Sequence, residues 1–339
     1  MVLLFKFLQQ FYLFFILFFS GLVFSFELDQ RKLDQFANEL SENYAFDKGK
    51  VKEILSLSRG SEKIIKLMSR PAEKAKSWED YRKIFVTKSR VRQGCRFWLN
   101  NKEALERAQN IYGVSPGIIT SIIGIETIYG ANTGSHRLLD SLPTLAFHYP
   151  GENLKREKYF RYQLQEFFLL AREEGLNMKT LEGSYAGAIG IPQFMPNNYR
   201  QLAVDFDDDG IKNIKESQAD AVGSVANYLK YHGWKSNGLV YLEAKLKPGR
   251  QFSSLTNVAR PNKVLKDLEF FKINAGGIPR DTPVSVVKFQ ESLADKYWVV
   301  FENFYAVFRY NPRIKYALVV VLLASDLEQR CQVDKLITR

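Results

Sequence analysis

One apolar helix stands out in the sequence and reads Ser115-Pro-Gly-Ile-Ile-Thr-Ser-Ile-Ile-Gly-Ile-Glu126-Thr-Ile-Tyr-Gly130. A serine followed by a proline is typical of a helix start, because the hydroxyl caps the first turn and proline already has a helical φ. Gly130 predicts the end of the helix. Three isoleucines recur at helical spacing and predict one apolar face toward the core: Ile119, Ile122 and Ile123.

Glu126 lies three, four and seven residues beyond those isoleucines, so it projects from the middle of the apolar face. A buried carboxylate is costly unless it has a role, and desolvation raises its pKa. A glutamate with a raised pKa can act as a general acid near neutral pH. The alternative is a glutamate at the end of the face that is paired or reaches water, and the helix by itself does not separate the two.

Length and composition describe an ordinary globular protein. The chain has 339 residues, of which 46% are hydrophobic and 25% are charged, enough for a large core and two or three subdomains. The net charge is +11 and the pI about 9.4, which favours a polyanionic partner such as nucleic acid, acidic lipid headgroups or an anionic wall polymer. No dense lysine and arginine block and no nucleic-acid-binding motif is present, so we predict no nucleic-acid partner.

The first residues predict export. Residues 1–25 carry one charge, Lys6, and a long apolar run before Ser20 and Gly21. This pattern indicates either a signal peptide cleaved after Ser25 or an uncleaved N-terminal anchor that associates with the membrane. No cysteine follows the run, so a lipid-anchored lipoprotein is not predicted. In both cases the body of the protein is exported, either as a soluble or as a membrane-associated protein.

The two cysteines, Cys95 and Cys331, could pair in an oxidising compartment, but spacing leaves that question open. The three histidines lack zinc-ligand spacing. No motif for an organic cofactor is present.

The pattern along the chain predicts a mainly α (α+β) fold. Residues 26–100 read as a helical domain, to which we assign the C-terminal tail, 318–339. Residues 101–238 with 301–317 read as the helical core that carries Glu126. Residues 239–300 alternate and contain several glycines and prolines, which predicts a small β-rich domain.

A stiff loop between helices is the second candidate for chemistry. It reads Gly183-Ser-Tyr-Ala-Gly-Ala-Ile-Gly-Ile-Pro-Gln-Phe-Met-Pro-Asn-Asn-Tyr199. Closely spaced glycines followed by two prolines give a tight backbone that can be placed against a ligand. Ser184 and Gln193 offer hydrogen bonds. The alternative is a packing crossover between helices.

An acidic loop follows and predicts a structural calcium ion. Its sequence is Asp205-Phe-Asp-Asp-Asp-Gly-Ile-Lys-Asn-Ile-Lys-Glu216. Carboxylates at alternate positions point at one centre, glycine at the sixth position allows a sharp bend, and a glutamate at the twelfth closes the shell. The predicted ligands are the side chains of Asp205, Asp207, Asp209 and Glu216 with the carbonyl of Ile211. Lys212 is at the eighth position of the loop, where calcium-binding loops of this type usually have an apolar residue. The alternative is a solvated acidic turn without an ion.

These stretches, in this order, resemble the B-type membrane-bound lytic murein transglycosylases of Gram-negative bacteria. The resemblance is dense over 95–235, thinner before it and in the β-rich part, and returns over 300–318. The matching motifs are Ile122-Ile-Gly-Ile-Glu126-Thr-Ile-Tyr-Gly130, Leu139-Asp-Ser-Leu-Pro-Thr-Leu-Ala-Phe-His-Tyr-Pro150, Gly183-Ser-Tyr-Ala-Gly-Ala-Ile-Gly190, Pro192-Gln-Phe-Met-Pro196, Val204-Asp-Phe-Asp-Asp-Asp-Gly210, Asp220-Ala-Val-Gly-Ser-Val-Ala-Asn-Tyr-Leu229, His232-Gly-Trp234 and Phe304-Tyr-Ala-Val-Phe-Arg-Tyr-Asn311.

The resemblance implies a lysozyme-like core that cleaves the β-1,4 bond between N-acetylmuramic acid and N-acetylglucosamine in peptidoglycan. It implies 1,6-anhydromuramoyl ends and places the single catalytic glutamate at Glu126. The substrate-binding positions that it implies are Ser184, Gln193, Tyr228, Asn311 and Tyr316. It also implies a peptide-contacting arginine at Arg156, although the chain before this residue is longer here than in the family. For calcium it places the last carboxylate near Asp220, whereas the loop rule gives Glu216. Glycan strands are the expected partner, and other cell-wall enzymes are further candidates.

One carboxylate suffices if the substrate supplies its own nucleophile, whereas most glycosidases use two. Glu126 would first protonate the glycosidic oxygen and then, as carboxylate, take the proton of the sugar's 6-hydroxyl as it attacks C1. Asp140 is the nearest second acid in sequence and is expected to serve a helix start. The alternatives are a hydrolytic muramidase on the same fold and a non-catalytic, calcium-dependent wall-binding protein.

Overall fold

The computed structural model describes residues 25–69, 76–151, 153–252 and 258–337. The predicted signal peptide or anchor, residues 1–25, lies outside these ranges apart from its last residue. None of the helices in these ranges is both long and apolar enough to span a bilayer.

The first part of the chain folds into short helices joined by tight turns. Side chains of Asp29, Asp47, Ser77 and Thr87 each accept a backbone N–H in the first turn of the helix that follows, which satisfies a donor that the helix leaves unpaired. The elements are β1 (Ser25–Phe26), α1 (Gln30–Tyr44), α2 (Lys48–Ser56), β2 (Gly60–Ser61), α3 (Glu62–Ser69), α4 (Trp78–Phe85) and α5 (Lys88–Asn100).

The central part is helical and contains one short hairpin. Strand β3 pairs antiparallel with β4, so that His136 lies opposite Gly183. The elements are α6 (Lys102–Tyr112), α7 (Pro116–Thr127), β3 (His136–Arg137), α8 (Leu138–Phe147), α9 (Leu154–Glu173), β4 (Glu182–Gly183), α10 (Pro196–Leu202) and α11 (Gln218–Tyr231).

The predicted β-rich part is a five-stranded antiparallel sheet in the order β6-β8-β9-β5-β7. It has a hydrophobic cluster of its own, built around Phe271, Val286 and Val299. The strands are β5 (Tyr241–Leu246), β6 (Lys263–Val264), β7 (Phe271–Ile273), β8 (Pro283–Gln290) and β9 (Asp295–Val300), with a 3-10 turn at Leu265–Leu268.

The chain then returns to the helical part through α12 (Glu302–Tyr310) and α13 (Ile314–Ile337). Helix α13 packs along α7, and the hydroxyl of Ser121 donates a hydrogen bond to the carbonyl of Val320 (2.7 Å). A disulfide joins Cys95 of α5 to Cys331 of α13 and answers the question that the spacing left open.

The predicted α+β class with a mainly helical body and a small β-rich insert is confirmed. One hydrophobic cluster runs from Leu28 to Cys331 and joins the first helices to the central ones. The proposed boundary between 317 and 318 falls inside α13, so this one helix serves both proposed units. The domain limits themselves stay a prediction.

Candidate active site

Helix α7, which carries Glu126, is buried on every side and not on one face as predicted. Every residue from Pro116 to Ile125 is buried, because α5, α6, α11 and α13 all pack against it. Glu126, by contrast, is partly exposed. The catalytic candidate therefore stands where the central helix of the core reaches the surface.

The helix ends at Thr127, three residues before the predicted Gly130, in a left-handed turn. Ile128 and Tyr129 have φ of 54° and 60°, which costs of order 1–3 kcal/mol for a side-chain-bearing residue. The hydroxyl of Thr127 holds this turn, since it donates to the carbonyl of Ile191 (2.9 Å) and accepts the N–H of Gly130 (3.0 Å). The end of α7 is thus clamped to the glycine-proline loop.

The carboxyl group of Glu126 accepts one short hydrogen bond. The hydroxyl of Tyr316, on α13, donates to its Oε1 at 2.6 Å. Burial raises the pKa of Glu126 from 4.5 to about 7, although the bond from Tyr316 lowers it. Both the acid and the carboxylate are therefore populated near neutral pH, as a group that donates and then accepts a proton requires.

Three tyrosines, Tyr316, Tyr310 and Tyr228, continue from that carboxyl group and form an aromatic wall. The ring of Tyr310 is nearly parallel to that of Tyr316, with centroids 6.5 Å apart, and lies 4.7 Å from Tyr228. The hydroxyls of Tyr310 and Tyr228 donate to the carbonyls of Pro192 (2.6 Å) and Arg309 (2.7 Å). Burial raises the pKa of all three, so they remain hydrogen-bond donors. Tyr228 and Tyr316 were predicted site residues, and Tyr310 was missed although it precedes Asn311.

Tyr81 is a second residue that the sequence did not reveal. It lies on α4, is 2% exposed, and its hydroxyl has no hydrogen-bond partner in the described part of the chain. Burial, and next the negative charge of Glu126, raise its pKa to about 12. The first helices of the chain thus reach the surroundings of the carboxyl group. No local pattern marks this residue, because its position depends on tertiary packing.

The glycine-proline loop lies against the end of α7. The hydroxyl of Ser184 accepts the N–H of Ala188 (3.0 Å), which closes the turn. Gln193 has φ of 53°, and its amide nitrogen donates to the carbonyls of Thr133 (3.0 Å) and Gly190 (2.9 Å). Both amide hydrogens are then used, and Oε1 is the polar atom left for a ligand.

Two predicted substrate residues are placed less directly. Asn311 follows α12 at once, and its carbonyl accepts the N–H of Arg313 (2.6 Å). Arg156 is exposed in the first turn of α9, and its guanidinium lies over the rings of Tyr159 and Phe160 at 5.3 and 5.1 Å. Its Nε also donates a hydrogen bond to the hydroxyl of Tyr149 (3.4 Å), and these contacts do not join Arg156 to Glu126.

The acidic loop gathers three of its predicted calcium ligands. The carboxylates of Asp205, Asp207 and Asp209 offer oxygens within 4.8 Å of one another. Backbone N–H groups of Asp209 and Gly210 donate to Asp205, which bends the loop around this point. Three like charges so close repel each other, and a divalent cation with oxygen ligands would remove that cost. The donor set and its curvature therefore fit calcium.

The two candidates for the last carboxylate behave differently. Glu216 is exposed and lies 3.3 Å from the amine of Lys215. Asp220 is fully buried and accepts the N–H groups of Phe206 and Asn213, both at 2.6 Å. Neither belongs to the three-carboxylate cluster in the described structure. Asp220 fixes both ends of the loop, while Glu216 has no such role.

A mainly helical fold in which a partly exposed glutamate with a raised pKa meets a row of tyrosines is typical of lysozyme-like, glycan-cleaving enzymes. Residues 29–325 match the family model described as the Transglycosylase SLT domain. The chain belongs to this family and is a peptidoglycan lytic transglycosylase, a lyase-type enzyme.

Curated and solved relatives agree with this assignment. The chain is 36% identical over 302 residues to membrane-bound lytic murein transglycosylase B of Escherichia coli strain K12, covering 84% of this chain and 80% of that protein. Soluble lytic transglycosylase SltB1 of Pseudomonas aeruginosa is 39% identical with a TM-score of 0.82, over 88% of this chain and 98% of that one.

Two further solved structures contain ligands. The Escherichia coli lytic transglycosylase Slt35 in complex with calcium is 36% identical with a TM-score of 0.78, over 88% of this chain and 92% of that one. SltB3 of Pseudomonas aeruginosa in complex with NAG-anhNAM-pentapeptide is 25% identical with a TM-score of 0.75, over 88% of this chain and 79% of that one.

Proposed function

We propose that the enzyme cleaves the bond between N-acetylmuramic acid and N-acetylglucosamine without water and leaves 1,6-anhydromuramoyl ends. Glu126 protonates the glycosidic oxygen as the C1–O bond breaks. The resulting carboxylate then takes the proton of the muramic 6-hydroxyl, whose oxygen forms the new bond to C1. The proton count on Glu126 is restored after each cycle, and the reaction needs no second acid.

The isolation of the Glu126 carboxyl group is the observation that carries this proposal. Its pKa is raised by burial and lowered by Tyr316, and no carboxylate of the described residues contributes. Asp140 is engaged elsewhere, because its oxygens accept the guanidinium of Arg137 (2.6 and 2.9 Å) and the N–H of Arg59 (2.8 Å). Among the described residues these observations favour a one-acid mechanism over one with two flanking carboxylates.

Substrate contacts follow from the geometry around this carboxyl group. We assign sugar binding to Gln193 and Ser184 of the glycine-proline loop and to Tyr228 and Tyr316 of the aromatic wall. Tyrosine rings present flat apolar faces with polar edges, which suits the alternating C–H and O–H groups of a pyranose. Asn311 and Arg156 are assigned to the same cleft by the family resemblance and with less support from contacts.

A sacculus digest tests the reaction. Purified sacculi are treated with the wild type and with Glu126→Gln, and the soluble products are identified by mass spectrometry. Anhydromuramoyl ends from the wild type and none from the variant are expected. Glu103→Gln, an exposed glutamate on α6, is the matched control and should act like the wild type. Reducing muramic ends without anhydro products would instead identify a hydrolytic muramidase.

We propose further that calcium occupies the acidic loop and supports its structure. Asp205, Asp207 and Asp209 would hold the ion, with the carbonyl of Ile211 as a further oxygen. Calcium should raise the melting temperature of the wild type and a chelator should lower it. Asp207→Asn should weaken this response about tenfold in calcium concentration. Asp208→Asn should not, because Asp208 points out of the cluster and pairs with Arg107 at 3.0 Å; equal loss in both variants would exclude the site.

The export signal and the family together support a periplasmic enzyme acting on glycan strands. The net charge of +11 favours an anionic substrate, and the curated relative is membrane-bound. Whether residues 1–25 remain attached is decided by N-terminal sequencing of the protein recovered from the envelope, where a start at Phe26 would show cleavage.

A further inference from the structure

A basic groove lies beside the proposed glycan site and has no part in the chemistry described above. It is an open cavity of about 920 Å³ between the turn α2–β2–α3 and the hairpin β3–β4. Its charged and titratable lining consists of Arg59, Lys63, His136, Arg137, Asp140, Lys179 and Glu182. A cavity of this size holds a ligand of several residues.

The charges of the basic groove are not balanced within it. Arg137 and Asp140 neutralise each other. Three exposed cations make no ion pair with another described residue: Arg59, Lys63 and Lys179. Glu182 is the one remaining acid of the lining, so the groove has an excess charge of +2. Such a groove attracts carboxylates.

The floor of the basic groove contains a second sign of a ligand. The Nε2 atom of His136 is buried and has no hydrogen-bond partner in the described part of the chain. Buried polar atoms are almost always paired, so an unpaired one needs an explanation such as a ligand or water. Burial, and next the charge of Lys63, lower the pKa of His136, while Glu182 raises it; the lowered pKa favours a neutral imidazole whose Nε2 can donate or accept one hydrogen bond.

The hairpin β3–β4 joins the basic groove to the proposed glycan site. His136 pairs with Gly183, and the next residue is Ser184. The ring of His136 also meets that of Tyr185 with centroids 6.4 Å apart. A side chain at Gly134 would lie 2.2 Å from the carbonyl of Gly183, so the two strands are held in close contact. A substituent on a sugar bound at Ser184 therefore has a short path into the groove.

We propose that the basic groove binds the carboxylates of the peptide that a muramic acid residue carries, and so selects peptide-bearing glycan over bare glycan. Arg59, Lys63 and Lys179 supply the charge and His136 a buried hydrogen bond. The proposal rests on the proposed function for its substrate. A lipid headgroup is less well supported, because the groove opens beside the glycan site.

The test compares two substrates and two variants. The substrates are soluble glycan oligomers bearing pentapeptides and the same oligomers after an amidase has removed the peptides. The groove variant is Arg59→Glu with Lys63→Glu. Its control is Lys245→Glu with Lys272→Glu, an exposed cross-strand pair in the β-rich sheet, which changes the net charge equally.

The groove variant should raise the KM for the peptide-bearing substrate about tenfold, the effect of two exposed ion pairs turned into repulsions. The KM for bare glycan should stay within twofold, and the control should change neither. An equal change for both substrates, or none, would overturn the proposal. The proposal would also be overturned if the wild type bound phosphatidylglycerol vesicles and the groove variant did not, while the variant kept its preference for the peptide-bearing substrate. That result would assign the groove to lipid headgroups.

A binding measurement separates this proposal from the proposed function. Free pentapeptide and its C-terminal amide are titrated into the wild-type protein and the groove variant by calorimetry. The wild type should bind the free acid more tightly than the amide, and the groove variant should lose that difference. This result stands even if the wild type cleaves no glycan, whereas equal binding of acid and amide by the wild type refutes the groove assignment while leaving the reaction intact.

Discussion

Replacing Tyr316 by phenylalanine should move the pH dependence of the enzyme without disturbing its fold. The substitution removes the hydroxyl that donates to Oε1 of Glu126 at 2.6 Å and keeps the ring beside Tyr310. That hydrogen bond lowers the pKa of Glu126, while burial raises it to about 7. Without the bond, burial acts alone and the pKa must rise further.

The size of the change follows from the charge on the acceptor. A hydrogen bond to a charged group contributes about 1.5–3 kcal/mol, and one pH unit corresponds to about 1.36 kcal/mol. The pKa of Glu126 should therefore rise by about one to two pH units in Tyr316→Phe. Since the first step requires the protonated acid, the alkaline limb of kcat/KM should move upward by that amount.

The assay is the initial rate of release of soluble products from glycan oligomers between pH 4 and pH 10. Tyr310→Phe is the matched control, because its hydroxyl donates to the carbonyl of Pro192 and not to the carboxyl group. The alkaline limb should move in Tyr316→Phe and stay in the control. An unmoved limb in Tyr316→Phe, or the same movement in both variants, would refute the role given to this hydrogen bond.

Three further outcomes are expected. Glu126→Gln should raise the free energy of unfolding by up to about 3 kcal/mol at pH 8 and leave it unchanged below pH 4.5, as measured by chemical denaturation at both pH values. The reason is that the pKa of Glu126 is raised in the folded protein, so ionising its carboxyl group destabilises the fold as pH increases. Gly124→Ala would bring a methyl group to 2.6 Å from the ring of Tyr129 and should cost about 1–3 kcal/mol and lower kcat. Reducing the bond between Cys95 and Cys331, which closes 236 residues, should cost about 2–5 kcal/mol, seen as a lower melting temperature in calorimetry.

The parts of the site that the sequence predicted are those whose chemistry is local. The alternate carboxylates of Asp205, Asp207 and Asp209 converge because loop spacing alone directs them to one centre. Glu126 was singled out by its position in an apolar segment. The β-rich insert was evident from alternation and turn residues. In each case neighbours along the chain supply the physical reason.

The parts that the sequence missed depend on distant segments. Helix α7 looked amphipathic, yet α13, from the other end of the chain, covers the side that was expected to face outward. Its end at Thr127 is fixed by the carbonyl of Ile191, so a left-handed Ile128 is tolerated where Gly130 was expected to end the helix. Periodicity cannot show either contact, because both partners lie far away in sequence.

The position of Tyr81 changes the meaning of the first helical segment. This segment was read as a helical domain that includes no candidate site residue. Helix α4 nevertheless brings a buried hydroxyl, unpaired among the described residues, close enough to Glu126 for the carboxylate charge to raise its pKa. The disulfide of Cys95 ties the neighbouring α5 to α13, which carries Tyr316. The groups around the carboxyl group of Glu126 thus come from α4, α7 and α13, three distant segments joined in one hydrophobic cluster. The burial that raises the pKa of Glu126 is therefore a property of the assembled helices, and α4 from the first helical segment contributes to the surroundings of this carboxyl group.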